Sequence, residues 1–371
     1  MRIVYVLTSL GMGGAERQVL ALAQRMADRG HSVLLVVLRP RLAEEWPTKL
    51  DVLYLNMRKK PLSLIQGLIQ ARRSLNDFQP DLIHSHTYPG NMAARLLKIF
   101  SPRTALISTI HNVFEGGWIR MLAYRLSDPL SCLTTAVSSA AAERYIQMKA
   151  LSRSKCRVVV NGIDLGGFVP DTERRAQTRS AMNAENNFIW LTAGRIAKAK
   201  DYPNLLRAFA IAQTNFSSTQ LWVAGEGEAA EIAAMRALAQ ELGLTPQVRW
   251  LGLRRDMPAL LDAADGFVLG SAWEGMPLAV GEAMAMAKPV AATDVGGVRE
   301  LVGDAGRIVP AKDPRQLSLA MIELMNSSMA TRQSLGHAAR DRIANQFNMD
   351  AKTLEWEALY RSVLKSTSTS N

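Results

Sequence analysis

The first eighteen residues, Met1–Gln18, read MRIVYVLTSLGMGGAERQ. An unbroken apolar β-branched run, Ile3–Leu7, is followed by Gly11, Gly13 and Gly14, and then by a segment with apolar spacings of three and four. A strand, a glycine turn and a helix in that order make the first half of a βαβ unit. A secretory leader would need a longer apolar stretch, and Glu16 and Arg17 follow the glycines directly, so the run is a buried first strand.

The same alternation continues outward. Strands are expected at Arg2–Leu7, Ser32–Leu38, Val52–Leu55, Asp81–Ser85, Ala105–Thr109, Leu133–Val137 and Arg157–Val160, with helical spacing at Ala15–Arg29, Leu62–Asp77 and Ser139–Lys149. The stretch 158–187, VVVNGIDLGGFVPDTERRAQTRSAMNAENN, breaks the pattern with Gly, Pro and charge and reads as a linker. Strands resume at Phe188–Thr192, Gln220–Ala224, Val248–Leu251, Gly266–Leu269, Pro289–Ala292 and Arg307–Val309. Three helical patterns close the chain: Pro314–Met325, Thr331–Phe347 and Met349–Val363. The fold class is α/β, with two Rossmann-like doubly wound domains and a cleft between them. The expected division is 1–165, with the helix of 349–371 packing back onto it, and 166–348.

At 371 residues, with 48% hydrophobic and 21% charged residues, the chain has the composition of a globular protein and no run long enough to span a bilayer. Cys132 and Cys156 make neither a disulfide framework nor a metal cluster, which points to the cytoplasm. The net charge of +11 is unevenly placed: residues 1–165 hold 22 Lys/Arg against 11 Asp/Glu, whereas 166–371 are balanced. An anionic partner for the first half follows: a membrane surface, a phosphorylated acceptor or nucleic acid.

Ligands of such sheets bind beyond the carboxyl ends of the strands, and four places there stand out. Gly11, Gly13 and Gly14 open a helix, but Glu16 stands where a dinucleotide fingerprint needs glycine and the second strand ends in Arg39 rather than an acid. A turn that aims a helix N-terminus at an anion remains, with a plain tight turn as the alternative. His111 follows a strand in ALISTIHN, and His84 and His86 follow another in DLIHSHTYPGN, with Arg95 on the next helix; each is a polar contact to substrate or a satisfied loop residue. In WLTAGRIAKAKDYPNLLRAF a strand ends at Gly194, Arg195 and Lys200 converge before a helix that Asp201 caps, and together they suit a diphosphate; Lys198 is a less regular third cation.

The fourth place is SAWEGMPLAVGEAMAMAKPVAATDVGG, Ser271–Gly297. Pro277 suits the first position of a helix, and Glu274 stands in the loop before it. Met276 and Leu278 offer backbone amides, and Glu282, on the helix, is placed to hold a ribose diol. The bland reading is that a carboxylate near a helix N-terminus is favoured anyway.

These residues resemble the GT4 class of retaining, nucleotide-sugar-dependent glycosyltransferases, which have the GT-B fold. The resemblance runs over essentially the whole chain. Its most specific part is E-x7-E, Glu274-Gly-Met-Pro-Leu-Ala-Val-Gly-Glu282, joined by GRIAKAKD, by NGID (Asn161–Asp164) and by GMGGAER. It implies that Arg195 and Lys200 bind the donor diphosphate and neutralise the leaving group. It gives Glu282 the ribose hydroxyls, and it gives Glu274, with Gly275, Met276, Pro277 and Leu278, the donor sugar. Gly13 and Gly14 close over the phosphates, His111 touches the sugar near the reacting carbon, and Leu253 lies in a loop lining the base pocket. No cofactor and no metal are expected beyond a nucleotide sugar, UDP before GDP, carrying a hexose or N-acetylhexosamine.

The acceptor is expected on the first domain. NMRKKPLSLIQGLIQARRSL puts Arg58, Lys59 and Lys60 before a helix with Leu62, Ile65, Leu68 and Ile69, and GGWIRMLAYRL offers Trp118 and Arg120. With His86 these form the expected acceptor or membrane side, although a helix packing its apolar stripe on the sheet reads equally well. The favoured acceptor is a polyprenyl-diphosphate-linked glycan of surface polysaccharide assembly, with peripheral association at the inner face of the plasma membrane and no nucleic acid. A soluble small-molecule acceptor and a same-fold nucleotide-sugar epimerase are the alternatives, and a non-enzymatic nucleotide binder ranks last.

Overall fold

The computed structural model describes residues 1–214, 216 and 218–368, so the last three residues of the tail KSTSTSN lie outside it. The chain divides into two compact units, Met1–Gly162 with Met349–Asn371, and Ile163–Asn348.

In the first unit the elements run β1 (Arg2–Leu7), α1 (Gly14–Asp28), β2 (Ser32–Val37), β3 (Asp51–Tyr54), α2 (Pro61–Phe78), β4 (Leu82–His86), α3 (Thr87–Phe100), β5 (Ala105–Ile110), α4 (Trp118–Ser127), β6 (Leu133–Ala136), α5 (Ser139–Gln147) and β7 (Cys156–Val158). The second unit holds α6 (Thr172–Ala181), β8 (Phe188–Ala193), α7 (Tyr202–Gln213), β9 (Thr219–Ala224), α8 (Ala229–Glu241), β10 (Val248–Gly252), α9 (Met257–Ala263), β11 (Gly266–Leu269), α10 (Leu278–Ala285), β12 (Val290–Thr293), α11 (Val298–Val302), β13 (Arg307–Val309), α12 (Pro314–Asn326) and α13 (Met329–Gln346). The closing helix α14 (Met349–Ser368) returns to the first unit.

Every ladder is parallel. The first sheet has seven strands in the order β3-β2-β1-β4-β5-β6-β7, and the second has six in the order β10-β9-β8-β11-β12-β13. Strands of a sheet covered on both faces need apolar side chains in both directions, which is why β1 is apolar from Ile3 to Leu7, and β5 and β9 are buried throughout. In each sheet the strand order reverses once, at β1/β4 and at β8/β11. At such a switch point the two following connections leave toward opposite faces and open a crevice at the strand ends.

Two expectations are corrected. The stretch 158–187 is not simply a linker, because it contains α6. Asp171 caps this helix by accepting from the amides of Glu173 and Arg174, and α6 packs on α9 and the turn after it through Arg174–Asp262 and Arg175–Asp265 ion pairs, each at 2.5 Å. The helix is polar all round, so no apolar periodicity announced it, and ion pairs rather than a hydrophobic stripe hold it. His84 and His86 do not follow β4 but lie within it.

The return of α14 covers one face of the first sheet. Trp356, Leu359, Tyr360 and Val363 join Ile3, Tyr5, Leu7, Leu82 and α1 residues in one core. Polar contacts add to it: Glu357 accepts from Arg29 at 2.6 Å and Arg361 at 2.7 Å, and pairs with His31 at 3.2 Å. These cations hold the Glu357 carboxyl down to about 2, chiefly through the Arg361 hydrogen bond, while burial keeps His31 below its usual value. Both groups bind more protons when unfolded, so both lose their contribution on acidification. His31 loses it below about pH 6.5, and Glu357 from about pH 4.3 down toward 2. We expect the thermal midpoint of the wild type to fall more steeply than that of Glu357→Gln between about pH 4.3 and 2, where the Glu357 contribution is lost; parallel curves there would deny this cluster its role.

Candidate active site

The switch point of the second sheet assembles the site. β8 ends at Ala193, and Gly194 follows at φ +148°, where a side chain is strained. A Cβ there would also lie 2.9 Å from Lys200 Cε, so glycine lets the lysine stem lie across the strand end. A short 3-10 turn, Lys198–Lys200, leads into α7, which Asp201 caps from a left-handed conformation (φ +43°) by accepting from the Asn204 amide. Lys200 thus sits beside a helix N-terminus, where the positive dipole end adds to its charge. Arg195 is exposed and, among the described residues, forms no ion pair. Lys198 is exposed as well.

Across the switch point, β11 delivers Ser271 and Glu274. Glu274 Oε1 accepts from Lys200 Nζ at 2.6 Å and from Ser271 Oγ at 2.7 Å. The two connections are joined through the backbone, with the Ala272 amide donating to the Ala199 carbonyl at 2.8 Å and Asn204 Nδ2 to the Gly270 carbonyl at 3.3 Å. The connection after β12 closes the assembly. Gly297 N–H donates to the Gly275 carbonyl at 2.7 Å, and Gly296 (φ +55°) passes so near that a Cβ would lie 2.1 Å from the Glu274 carbonyl. No other residue fits there without moving the carboxylate loop.

Helix α10 starts at Leu278, so Pro277 occupies the capping position rather than the first helical one, and its extended ψ of 113° turns the chain into the helix. Glu282 is the fifth helical residue, and both glutamates are largely buried, at 8% exposure for Glu274 and 6% for Glu282. A carboxylate is costly to bury without partners, and Lys200 and Ser271 are those of Glu274. Gly275, Met276 and Pro277 are buried with them, and Leu253 follows β10.

In the first unit, Gly13 caps α1, and both Gly13 and Gly14 are exposed at the helix N-terminus. His111 directly follows β5. Its connection is pinned by Glu115, whose carboxylate accepts from the His111 amide at 3.2 Å and from Tyr124 OH at 2.9 Å; burial pushes the Glu115 carboxyl up to about 7. His111 is held down to about 4 by burial, so at neutral pH it is an uncharged hydrogen-bonding group rather than a cation. His86, expected on the acceptor side, is corrected: it is 3% exposed and bonds to His111. The β4 register turns Leu82, His84 and His86 toward the face that α14 covers. Arg95 is buried too, donating to the Tyr124 carbonyl, Ser127 and Thr134.

Arg58, Lys59, Lys60, Trp118 and Arg120 are exposed as expected. Leu62, Ile65 and Ile69 do not pack on the sheet, since α2 buries Gly67, Ala71 and Leu75 instead; only Leu68 of the expected stripe reaches the core. Helix α3 packs between α2 and α4 and continues the surface with exposed Leu96, Ile99 and Phe100, which the sequence did not single out. Their apolar spacing on α3 was readable, but which side faces outward was not. Arg72 lies 4.9 Å over the Phe100 ring, joining α2 to α3. Among the described residues no helix is long and apolar enough to cross a membrane, and no group of three or more His, Cys, Asp or Glu is placed to hold a metal.

Two doubly wound parallel-sheet domains make a fold of the GT-B type. The comparisons agree. Residues 12–166 match the model described as Glycosyltransferase Family 4, and residues 173–342 match Glycosyl transferases group 1. The chain belongs to this GT4-type family. It is 24% identical over 314 residues to the UDP-Gal:alpha-D-GlcNAc-diphosphoundecaprenol alpha-1,3-galactosyltransferase of Escherichia coli, covering 80% of this chain and 79% of that one. It is 24% identical over 378 residues to the N-acetyl-alpha-D-glucosaminyl L-malate synthase of Bacillus anthracis, covering 95% of each. The crystal structure of Anabaena Alr3699/HepE in complex with UDP and glucose superimposes with a TM-score of 0.86 at 20% identity, covering 98% of this chain and all of that one.

Proposed function

We propose that the chain is a retaining, metal-independent glycosyltransferase that moves a hexose or N-acetylhexosamine from a UDP-sugar to a polyprenyl-diphosphate-linked glycan. The observation that carries this reading is the Lys200–Glu274 pair at the β8/β11 switch point. Glycosyl transfer separates charge, leaving an oxocarbenium-like sugar and a departing diphosphate. Lys200, Arg195 and the N-terminus of α7 supply positive charge for the leaving group. With that charge provided by the protein, the reaction has no call for a metal. When the diphosphate takes Lys200, Glu274 is released to accept from sugar hydroxyls; Glu282 holds the ribose diol, and the amides at Met276 and Leu278 complete the sugar contacts. His111 touches the sugar as a neutral group, Gly13 and Gly14 offer the α1 N-terminus to the phosphates, and Leu253 lines the base. UDP is favoured as the carrier because HepE was solved with it.

The lipid-linked acceptor is supported by the E. coli relative and by the outer face of α2, α3 and α4, where Leu62, Ile65, Ile99, Phe100, Trp118 and Ile119 are exposed among Arg and Lys. That combination suits an anionic leaflet at the inner face of the plasma membrane. The B. anthracis relative carries the second reading, a soluble acceptor.

A panel of UDP- and GDP-sugars, assayed for hydrolysis and for transfer with and without a short prenyl-diphosphate glycan, tests the activity. Turnover of one UDP-sugar stimulated by the prenyl acceptor is expected, and no turnover with any donor would end the reading. We further expect the protein to sediment with vesicles containing about one-third phosphatidylglycerol and not with pure phosphatidylcholine. Trp118→Ala together with Ile119→Ala should weaken this about tenfold or more, as the loss of two membrane-inserted apolar side chains implies. No binding to anionic vesicles would favour the soluble acceptor.

A further inference from the structure

His86 and His111 meet at the adjacent carboxyl ends of β4 and β5, His86 Nδ1 lying 3.0 Å from His111 Nε2. The His86 ring is packed against His84, with centroids 4.0 Å apart, and its Nε2 is buried with no hydrogen-bond partner among the described residues. Burial, with His84 and His111 as neighbours, keeps His86 well below the usual histidine range. The pair is therefore neutral, and one proton lies between the two rings.

Only two arrangements exist. If His111 donates from Nε2, His86 accepts at Nδ1 and must carry its own proton on Nε2, where a buried N–H meets no acceptor from the described residues. If His86 donates from Nδ1, its Nε2 keeps only a lone pair. A buried donor without an acceptor is the rarer and costlier orphan, which selects the second arrangement.

We propose that His86 is a positioning residue that donates from Nδ1 to His111 Nε2 and so holds His111 in the Nδ1–H tautomer. His111 then presents a hydrogen-bond donor, aimed at an oxygen of the transferred sugar. It cannot serve as the base for the acceptor hydroxyl, because its one lone pair is already taken. The sugar contact rests on the function proposed above; the tautomer does not.

The test is two-bond 1H–15N correlation NMR on the wild-type protein with 15N-labelled histidine, with the His111 signals assigned by their loss in His111→Asn. His111 is expected to carry its proton on Nδ1; a proton on Nε2 overturns the proposal whatever the variants do. Kinetics on the best donor follow. Asparagine at position 86 can place an amide N–H near the Nδ1 position, whereas phenylalanine cannot. His86→Phe should lower kcat about 10- to 100-fold, the usual cost of losing an orienting partner, with donor KM changed less than about twofold. His86→Asn should retain kcat within about threefold of wild type. Wild-type kcat in His86→Phe, or an equal loss in both variants, also overturns it. Absence of wild-type turnover with every donor would instead be a failure of the proposed function, with the NMR result still standing.

Discussion

Replacing Lys200 with alanine should lower kcat/KM for the nucleotide sugar by about 100- to 1000-fold, the usual loss when one preorganised charge-stabilising contact is removed. The effect should fall mainly on kcat, because the charge on the diphosphate grows as the glycosyl bond breaks. The structure adds a second consequence. Lys200 Nζ is 2.6 Å from Glu274 Oε1, and the alanine variant leaves that largely buried carboxylate with Ser271 as its remaining side-chain donor. Part of the loss would therefore come from a displaced Glu274 rather than from the missing cation. A double-mutant cycle with Glu274→Gln separates the two. If the lysine acts only on the leaving group, the losses multiply; if it also holds Glu274, the double variant is less impaired than the product. A Lys200→Ala enzyme with wild-type kcat would remove the central element of the proposed mechanism.

The second large effect is expected at Glu282. Its alanine variant should raise donor KM, and the Kd of free UDP, by about 10- to 100-fold, as loss of charge-assisted hydrogen bonds to a diol implies. Little change in kcat is expected, because the ribose is remote from the bond that breaks and is held equally in ground and transition states. Titration calorimetry with UDP and with deoxyuridine diphosphate gives the decisive comparison. Wild type should prefer the ribonucleotide and Glu282→Ala should not. An unchanged preference would place the ribose elsewhere. Glutamine is the better control for folding, since Glu282 is 6% exposed on the short helix α10, flanked by buried Gly281 and Ala283.

Comparing these residues shows where sequence reading succeeds. The strands Arg2–Leu7, Gly266–Leu269 and Arg307–Val309 were legible to the residue, because short apolar, β-branched runs end where turn residues begin. Ala15–Arg29 was legible as a helix within one residue. Glu274 and Glu282 stand out in the sequence as two carboxylates in an apolar segment, and both are largely buried. Helix α6 was not, because its packing relies on Arg174, Arg175 and Arg179 meeting Asp262 and Asp265, partners about ninety residues away. Leu62, Ile65 and Ile69 were misjudged in one of their two readings, because apolar spacing says that a helix has a greasy side but not whether the sheet or the solvent receives it.

The sequence by itself determined two α/β units and where their strands end, since both follow from local pattern and spacing. Only the tertiary structure decided that Lys200 and Glu274 bind each other, through the strand order that sets β8 beside β11. It likewise decided that His86 lies under α14 beside His111 instead of at the surface. Both outcomes depend on which strands become neighbours and on what covers the sheet, and those contacts join residues far apart in the chain, which no local pattern encodes.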